Sequence, residues 1–207
     1  MEETTLEGWL AELASSAPAP GGGAAGALEA AIGAALVEMS ASLTIGKPAY
    51  AEHEPDLVAA RDRAQGLRAE ALELVDEDAK AFSEVMSAYR LPRESEQEKL
   101  ERGRQVQAAL AAAADVPRRT ASNAQATLEL AERIAPFTNV NVVSDVAVAA
   151  ASARAALVAA LVNVEANRNG IEDAAVRDEL AAVIAGIETQ LGRADAVVAT
   201  VRALGAG

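Results

Sequence analysis

The density of small residues at helical spacing constrains the fold of this chain more than any other feature. Ala accounts for about a quarter of the 207 residues, and aromatic residues for only 2%. Ala costs less free energy to fix in a helix than any other residue, and no segment shows the alternation typical of strands. The sequence therefore predicts an all-α fold, an antiparallel bundle of about six helices.

The predicted helices are long for a chain of this size, which is one ordinary domain over residues 1–207. Their apolar positions recur every three or four residues. Helices longer than the body of a small domain need a partner to cover their apolar sides, so we expect a homodimer or a larger homo-oligomer. The longest predicted segments are 54–89, 95–134 with a kink near Pro117, 144–167 and 171–204.

Charge and residue types exclude several classes of function. With a net charge of -13, the chain has no excess of basic residues to bind the phosphates of nucleic acid. The chain has no Cys and one His, His53, so we expect no disulfide, no thiolate nucleophile and no metal centre. The start Met1-Glu2-Glu3 lacks the pattern of a signal peptide, and no apolar run is typical of a membrane span. We therefore expect a cytoplasmic protein without membrane contact.

A loop rich in Pro and Gly, residues 17–23, leads directly into a predicted helix. Its free backbone donors and the positive end of the helix dipole favour an anionic group or ligand edge. The alternative is a tight corner that lets two helices cross closely. The loop residues concerned are Pro20, Gly21, Gly22 and Gly23.

Asp78 occupies a position where the apolar stripe of its predicted helix calls for an apolar residue. A carboxylate there costs free energy unless it is paired. Burial would shift its pKa, which suits proton transfer or the binding of a cationic ligand. The alternative is that Asp78 lies at the edge of the stripe, on a solvated face.

Polar residues also cluster before and along the helix predicted at 144–167. Helix capping explains some of them, but Asp145 and Asn163 share one azimuth with small residues between them, which leaves room for a ligand. Amides that bond a neighbouring helix are the alternative. Lys47 and Arg154 are candidates to pair with the carboxylates or to hold a substrate carboxylate. The cluster consists of Asn141, Ser144, Asp145, Asn163 and Asn167.

Five short motifs in this order resemble the cyclodeaminase/cyclohydrolase family, which includes the C-terminal domain of formiminotransferase-cyclodeaminase and stand-alone bacterial relatives. The resemblance covers nearly the whole chain. It implies an all-helical homodimer, no metal and no tightly bound cofactor, with a tetrahydrofolate derivative as the substrate. The motifs are Ser16-Ala17-Pro18-Ala19-Pro20-Gly21-Gly22-Gly23, Leu43-Thr44-Ile45-Gly46-Lys47, Asp76-Glu77-Asp78-Ala79-Lys80-Ala81-Phe82, Leu91-Pro92 and Asn141-Val142-Val143-Ser144-Asp145.

The resemblance implies one of two activities. Cyclodeaminases close 5-formiminotetrahydrofolate to 5,10-methenyltetrahydrofolate and release ammonia, whereas cyclohydrolases open the methenyl bridge with water to give 10-formyltetrahydrofolate. Both need proton transfer and stabilisation of a cationic carbon between two nitrogens, which carboxylates supply. We therefore expect Asp78 and Asp145 to be catalytic with help from Lys47.

The same resemblance assigns the remaining candidates to substrate binding. The Pro20 to Gly23 loop, Asn141 and Ser144 are expected to line the folate site, and Asn163 and Asn167 to bond the pterin. Cyclodeaminase is the preferred interpretation, and cyclohydrolase is the first alternative. A non-catalytic helical assembly subunit of the same fold is a second, because Ala24 stands where relatives commonly carry Ser.

Overall fold

A computed structural model describes residues 5–204 and contains seven α-helices, with no strand in that part of the chain. The all-α prediction is confirmed. Residues 1–4 and 205–207, which belong to the predicted single domain, lie outside the described range. The helices are α1 (Leu6–Leu13), α2 (Gly22–Ser42), α3 (Glu54–Tyr89), α4 (Glu96–Ala113), α5 (Asp115–Ile134), α6 (Val143–Gly170) and α7 (Ala174–Leu204), with short 3₁₀ helices at Pro48–His53 and Ala135–Phe137.

The segment predicted as one helix over 95–134 is two helices, which is why the bundle has more than six. The break is at Ala114, which ends α4 and begins α5. Pro117 lies in the first turn of α5, where the missing backbone N–H would have no helical acceptor in any case. The proline therefore starts a helix and does not kink one.

Side-chain caps fix the starts of two helices. The Thr5 hydroxyl accepts a hydrogen bond from the backbone N–H of Gly8 at the start of α1. At the start of α4, the Ser95 hydroxyl accepts from the Glu98 N–H while the Glu98 carboxylate accepts from the Ser95 N–H. These reciprocal bonds satisfy donors that the first turn leaves free.

Helix α2 lies at the centre of the bundle, because α3 and α6 flank it on either side and α5 lies behind it. Helix α7 extends the layer beyond α6, and α4 packs against α3. The core between these helices is made of Ala and aliphatic side chains, and its largest fully buried members are Leu57, Leu67, Leu74, Leu128, Ile134 and Leu157.

Two glycines of α2 allow the close crossing with α6. A Cβ built on Gly26 would lie 2.5 Å from the Cβ of Ala159, and one built on Gly33 would lie 3.1 Å from the carbonyl oxygen of Ala149. Gly33 therefore faces the first half of α6 and Gly26 the second, so the two helices run antiparallel. The contact between α2 and α6 is therefore made through small residues.

Helices α2 and α6 are long and apolar enough to span a membrane by length and composition, with mean hydropathies of 1.3 and 1.8 over their most apolar windows. Both are core helices of this bundle, and the core helices of soluble proteins pass the same test. The absence of membrane contact stays a prediction.

Candidate active site

Asp78 is a half-buried carboxylate of α3 that points at the first turn of α2. Its Oδ2 accepts a hydrogen bond of 2.9 Å from the backbone N–H of Ala24. The first N–H groups of a helix have no acceptor within it, and the helix dipole favours a negative charge there. Asp78 is therefore a half-buried carboxylate with a backbone partner, and not a fully solvated one at the edge of the helix.

Gly23 allows the Asp78 carboxylate to come this close to α2. A Cβ built on Gly23 would lie 2.7 Å from Cγ of Asp78, which is closer than real Cβ contacts occur. The third glycine of the loop thus makes room for the side chain of α3.

Burial raises the pKa of the Asp78 carboxyl above its ordinary value, and the hydrogen bond from the Ala24 N–H opposes that shift in part. Burial acts by disfavouring the charged form, whereas the N–H donor favours it. A carboxyl with a raised pKa exchanges its proton closer to neutral pH than an exposed Asp, which suits general acid-base catalysis.

The Asp78 side chain lines a pocket of about 290 Å³ at the N-terminal end of α2. Gly21, Gly22 and Gly23 of the loop line it together with Asn163 and Asn167 of α6. The structure thus brings together six of the predicted site residues. The remaining lining residues are Pro18, Ala19, Ala81, Phe82, Val85 and Ala113.

Pro20 lies on the other side of the same loop. It lines a neighbouring cavity of about 380 Å³ together with Trp9, Asp76 and Lys80. The loop therefore separates two cavities, and only the one that contains Asp78 is lined by the glycines and the Asn pair.

Phe82 is a pocket residue that was not among the predicted site residues. Its side chain is 40% exposed and lines the pocket, one turn beyond Asp78 on α3. Its place within the motif at 76–82 was the signal available in the sequence. A flat aromatic wall beside a carboxylate is suited to a planar, cationic ring system.

Asn163 donates a hydrogen bond of 2.8 Å from Nδ2 to the carbonyl oxygen of Ala159 in its own helix. The amide therefore does not serve as a bond to a neighbouring helix, which was the alternative to ligand binding. Asn167 lies one turn further along α6, so both amides face the pocket from the same side.

Lys47, Asn141, Ser144 and Asp145 lie at the opposite end of the bundle. Lys47 follows the C-terminal end of α2, which is 21 residues long, and the others precede or begin α6. A helix of that length measures about 30 Å. The structure thus divides the predicted site residues between two ends of one subunit, and the predicted proximity of Asp145 to Asp78 does not occur within it.

Hydrogen bonds hold the residues of this second end together. The Asn139 backbone N–H donates to the Thr44 hydroxyl over 3.1 Å, and the Val140 N–H donates to the Tyr50 hydroxyl over 3.2 Å. The loop before α6 is therefore fixed to the turn after α2, and Lys47 and Asp145 belong to one region of the surface.

Two further candidates have structural roles. Arg154 forms an ion pair of 2.9 Å with Asp195 of α7, so it pairs with neither Asp78 nor Asp145. The His53 ring stacks on Phe137 with 4.4 Å between the ring centroids. Within residues 5–204, no group of three or more His, Asp or Glu residues is arranged to hold a metal ion. The absence of a metal stays a prediction.

Comparison with known proteins supports the family resemblance. The family model for formiminotransferase-cyclodeaminase matches residues 5–186. A methenyltetrahydrofolate cyclohydrolase from Methylorubrum extorquens is 42% identical over 188 residues, which are 91% of this chain and 90% of that protein. The formimidoyltransferase-cyclodeaminase of Mus musculus is 29% identical over 171 residues, and the chain spans only 32% of its length.

A solved structure is similar over nearly the whole fold. The crystal structure of formiminotetrahydrofolate cyclodeaminase from Thermotoga maritima superimposes with a TM-score of 0.87 at 30% sequence identity, over 98% of each chain. The match of the family model and the 42% identical relative together establish the relationship. This chain belongs to the formiminotransferase-cyclodeaminase family, whose folate one-carbon enzymes include both cyclodeaminases and cyclohydrolases.

Proposed function

We propose that this protein is a methenyltetrahydrofolate cyclohydrolase that converts 5,10-methenyltetrahydrofolate and water to 10-formyltetrahydrofolate. One observation carries the choice between the two activities. The relative named as a cyclohydrolase is 42% identical over 90% of its length, whereas the mouse protein is 29% identical and shares only a third of its length with this chain. This favours the first alternative of the sequence analysis over cyclodeaminase.

The pocket has the groups that this reaction needs. The methenyl carbon lies between two nitrogens and carries a positive charge, which the Asp78 carboxylate stabilises across a short distance. Water adds to that carbon, and Asp78 accepts the proton that the water loses. Asp78 then returns this proton to one nitrogen as the bond from the carbon to that nitrogen breaks. The hydroxyl group on the carbon loses its proton to solvent and becomes the carbonyl of the formyl group, which stays on the other nitrogen.

Substrate placement is assigned to the remaining pocket residues. The Phe82 ring lies flat against the pterin, and the amides of Asn163 and Asn167 bond its polar edge. The glycine loop leaves the backbone close to the reacting carbon because it has no side chains in the way. No metal or tightly bound cofactor is part of the proposal, which assigns the activity to the cytoplasm.

Ala24 supported the alternative of a non-catalytic subunit, and its position weakens that alternative. Its methyl group is fully buried in an apolar cluster with Trp9 and Leu74, and only its backbone N–H faces Asp78. A hydroxyl at this position would lie among apolar side chains, so its absence removes no group from the pocket.

The assay for the proposed function follows the near-ultraviolet absorbance of 5,10-methenyltetrahydrofolate with purified protein. Starting from this compound, we expect loss of absorbance well above the uncatalysed rate. Starting from 5-formiminotetrahydrofolate, we expect no catalysed appearance of the same band. Catalysed formation of the band from the formimino compound, without hydrolysis of the methenyl compound, would instead establish a cyclodeaminase. If the protein catalyses neither absorbance change, both assignments are contradicted.

A further inference from the structure

Trp9 is the single tryptophan of a chain in which only 2% of the residues are aromatic. It lies in α1 and is the only buried residue of that helix. Leu6 and Leu10 of the same helix are exposed. A buried Trp removes about 150–250 Å² of surface from water, so α1 is attached to the rest of the bundle chiefly through this one side chain.

The Trp9 ring packs in an apolar cluster that joins α1, α2 and α3. Other members of this cluster are Ala24 and Ala27 of α2 and Leu74 of α3. Ala24 donates its backbone N–H to Asp78, and Leu74 lies one turn before Asp78 on α3. The cluster of Trp9 therefore lies beside both segments that form the hydrogen bond of the active site.

The stretch that joins α1 to the glycine loop has no buried residue of its own. Residues 10–23, from the one after Trp9 to the one before Ala24, are all exposed or half-buried. Trp9 and Ala24, which flank this stretch, belong to the same cluster. Holding the ends of a loop together costs conformational entropy, which contacts at those ends must offset. The packing of Trp9 and Ala24 therefore sets the position of the glycines at 21–23.

Trp9 also lines the space on the far side of this loop. It shares the cavity of about 380 Å³ with Pro20, and Ala19 lines both this cavity and the pocket of Asp78. The loop is thus a common wall of the two cavities. A smaller side chain at position 9 would enlarge the far cavity, and groups around a new cavity move partly into it. The loop would then withdraw from Asp78.

We propose that Trp9 is a positioning residue of the active site, which holds the glycine loop and the first turn of α2 against α3 so that the Ala24 N–H meets the Asp78 carboxylate. This inference rests on the proposed function for the catalytic role of Asp78. Trp9 is not among the described residues that line the pocket of Asp78. It therefore acts through the backbone that it supports and not on the substrate.

Steady-state kinetics of variants at position 9 test the positioning role. Trp9→Ala is expected to lower kcat for methenyltetrahydrofolate about tenfold or more, because small displacements of reacting groups are costly. Trp9→Phe retains a ring behind the loop and is expected to restore most of this loss. Ile187→Ala is the matched control, because Ile187 of α7 is 4% exposed, against 5% for Trp9, and does not line the pocket. A wild-type kcat for Trp9→Ala, or an equal loss in the control, would overturn the proposal.

The pH profile of kcat/KM gives a readout that a purely structural role would not move. Asp78 carries the only ionisable side chain among the described residues that line its pocket, so the acid limb reports its pKa. Burial raises this pKa, and the smaller effect of the Ala24 N–H opposes it. Withdrawal of the loop hydrates the carboxylate, so the acid limb of Trp9→Ala is expected to move to lower pH. The limb of Ile187→Ala should stay in place, and an unmoved limb in Trp9→Ala would contradict the proposal.

Thr5→Ala is a second variant, which loosens α1 and leaves Trp9 in place. The Thr5 hydroxyl caps α1 by accepting the Gly8 N–H over 3.1 Å, and loss of such a cap destabilises a helix. We expect kcat and the acid limb to change in the same direction as in Trp9→Ala, and by less. Ser95→Ala is the matched control, because it removes the cap of α4. Equal values of kcat in the two cap variants would contradict the proposal.

Urea denaturation tests the same geometry without using activity. Because the ionised Asp78 is costly in the folded chain, Asp78→Asn is expected to raise the free energy of unfolding at neutral pH. This gain should be smaller in the Trp9→Ala background, where the carboxylate is better hydrated, and a double-mutant cycle measures the difference. The same gain in both backgrounds would overturn the proposal. If the backgrounds differ as expected but the wild type hydrolyses no methenyltetrahydrofolate, the proposed function is wrong while Trp9 still positions Asp78.

Discussion

The carboxylate of Asp78 lies so close to the start of α2 that position 23 has no room for a side chain. Gly23 leaves that space free. A Cβ on Gly23 would lie 2.7 Å from Cγ of Asp78, while Asp78 accepts the N–H of Ala24 over 2.9 Å. The position of the proposed catalytic carboxylate therefore depends on the absence of a Cβ atom at Gly23.

Gly23→Ala is expected to displace the Asp78 carboxylate and to lower kcat by about tenfold or more, since small shifts of a catalytic group are costly. Its effect on stability is expected to be small, because the displaced atoms are the end of a flexible side chain. Steady-state kinetics and urea denaturation measure the two effects. A wild-type kcat for this variant would show that the close approach is not needed.

The raised pKa of Asp78 gives the stability a defined pH dependence. Below the ordinary Asp pKa of about 3.9 the carboxyl is protonated in both folded and unfolded chains. As pH rises through the raised pKa, ionisation costs more in the folded chain, so stability is lost and stays lost at neutral pH. Asp78→Asn removes this cost and retains an oxygen that accepts the Ala24 N–H.

Urea denaturation across pH checks this expectation. The free energy of unfolding of Asp78→Asn should exceed that of the wild type at neutral pH, and the difference should shrink in acid. Asp62→Asn is the control, because Asp62 is an exposed carboxylate on the same helix. A wild type that is the more stable protein at neutral pH would contradict the sign of the effect.

The pH profile of activity is expected to follow the same carboxyl. If the Asp78 carboxylate accepts the proton from water, kcat/KM falls on the acid side with a pKa above that of an ordinary Asp. Gly23→Ala should move this pKa toward the ordinary value, because the displaced carboxylate is better hydrated. An acid limb at the ordinary Asp pKa in the wild type would assign the proton transfer to another group.

Gly26→Ala and Gly33→Ala are expected to lower the free energy of unfolding by roughly 1–3 kcal/mol each, because the added methyl groups meet α6 in a close crossing. Gly66→Ala is the matched control on α3, where a Cβ meets nothing within 4 Å. It should raise the free energy of unfolding by up to about 1 kcal/mol. Equal changes in the free energy of unfolding at all three positions would show that the crossing of α2 and α6 accommodates the added methyl groups.

Phe82→Leu is expected to raise KM for methenyltetrahydrofolate several-fold with little change in kcat, because stacking on the pterin contributes equally to ground state and transition state. Phe82→Tyr keeps the ring and should restore KM. If Phe82→Leu instead lowers kcat at unchanged KM, the ring acts on the reacting carbon and not on binding.

The helix pattern made much of this fold predictable, because the spacing of Leu and Ala residues defines a buried stripe in each helix. The segment 54–89 is one helix as expected. The break at Ala114 was not predictable from spacing, because both sides keep good helix formers and the only visible breaker, Pro117, is tolerated in a first turn.

The sequence predicted most of the residues of the site, but only in part which of them lie together in space. Asp78 stood out because a carboxylate interrupted an apolar stripe. Asp145 and Asn163 share an azimuth on α6, which places them on the same face of the helix. Azimuth does not give the position along the helix axis, and the two residues lie about 27 Å apart along it. Only packing shows that Gly23, Asp78 and Asn163 form one pocket.

The central claim is that Asp78 is the catalytic carboxylate of a cyclohydrolase, and the most direct test compares hydrolysis of 5,10-methenyltetrahydrofolate by wild-type protein and Asp78→Asn, followed by absorbance. We predict that the wild type hydrolyses the compound far above the uncatalysed rate and that the variant loses about 100-fold or more of kcat while still binding the folate. A variant with the kcat of the wild type would contradict the account.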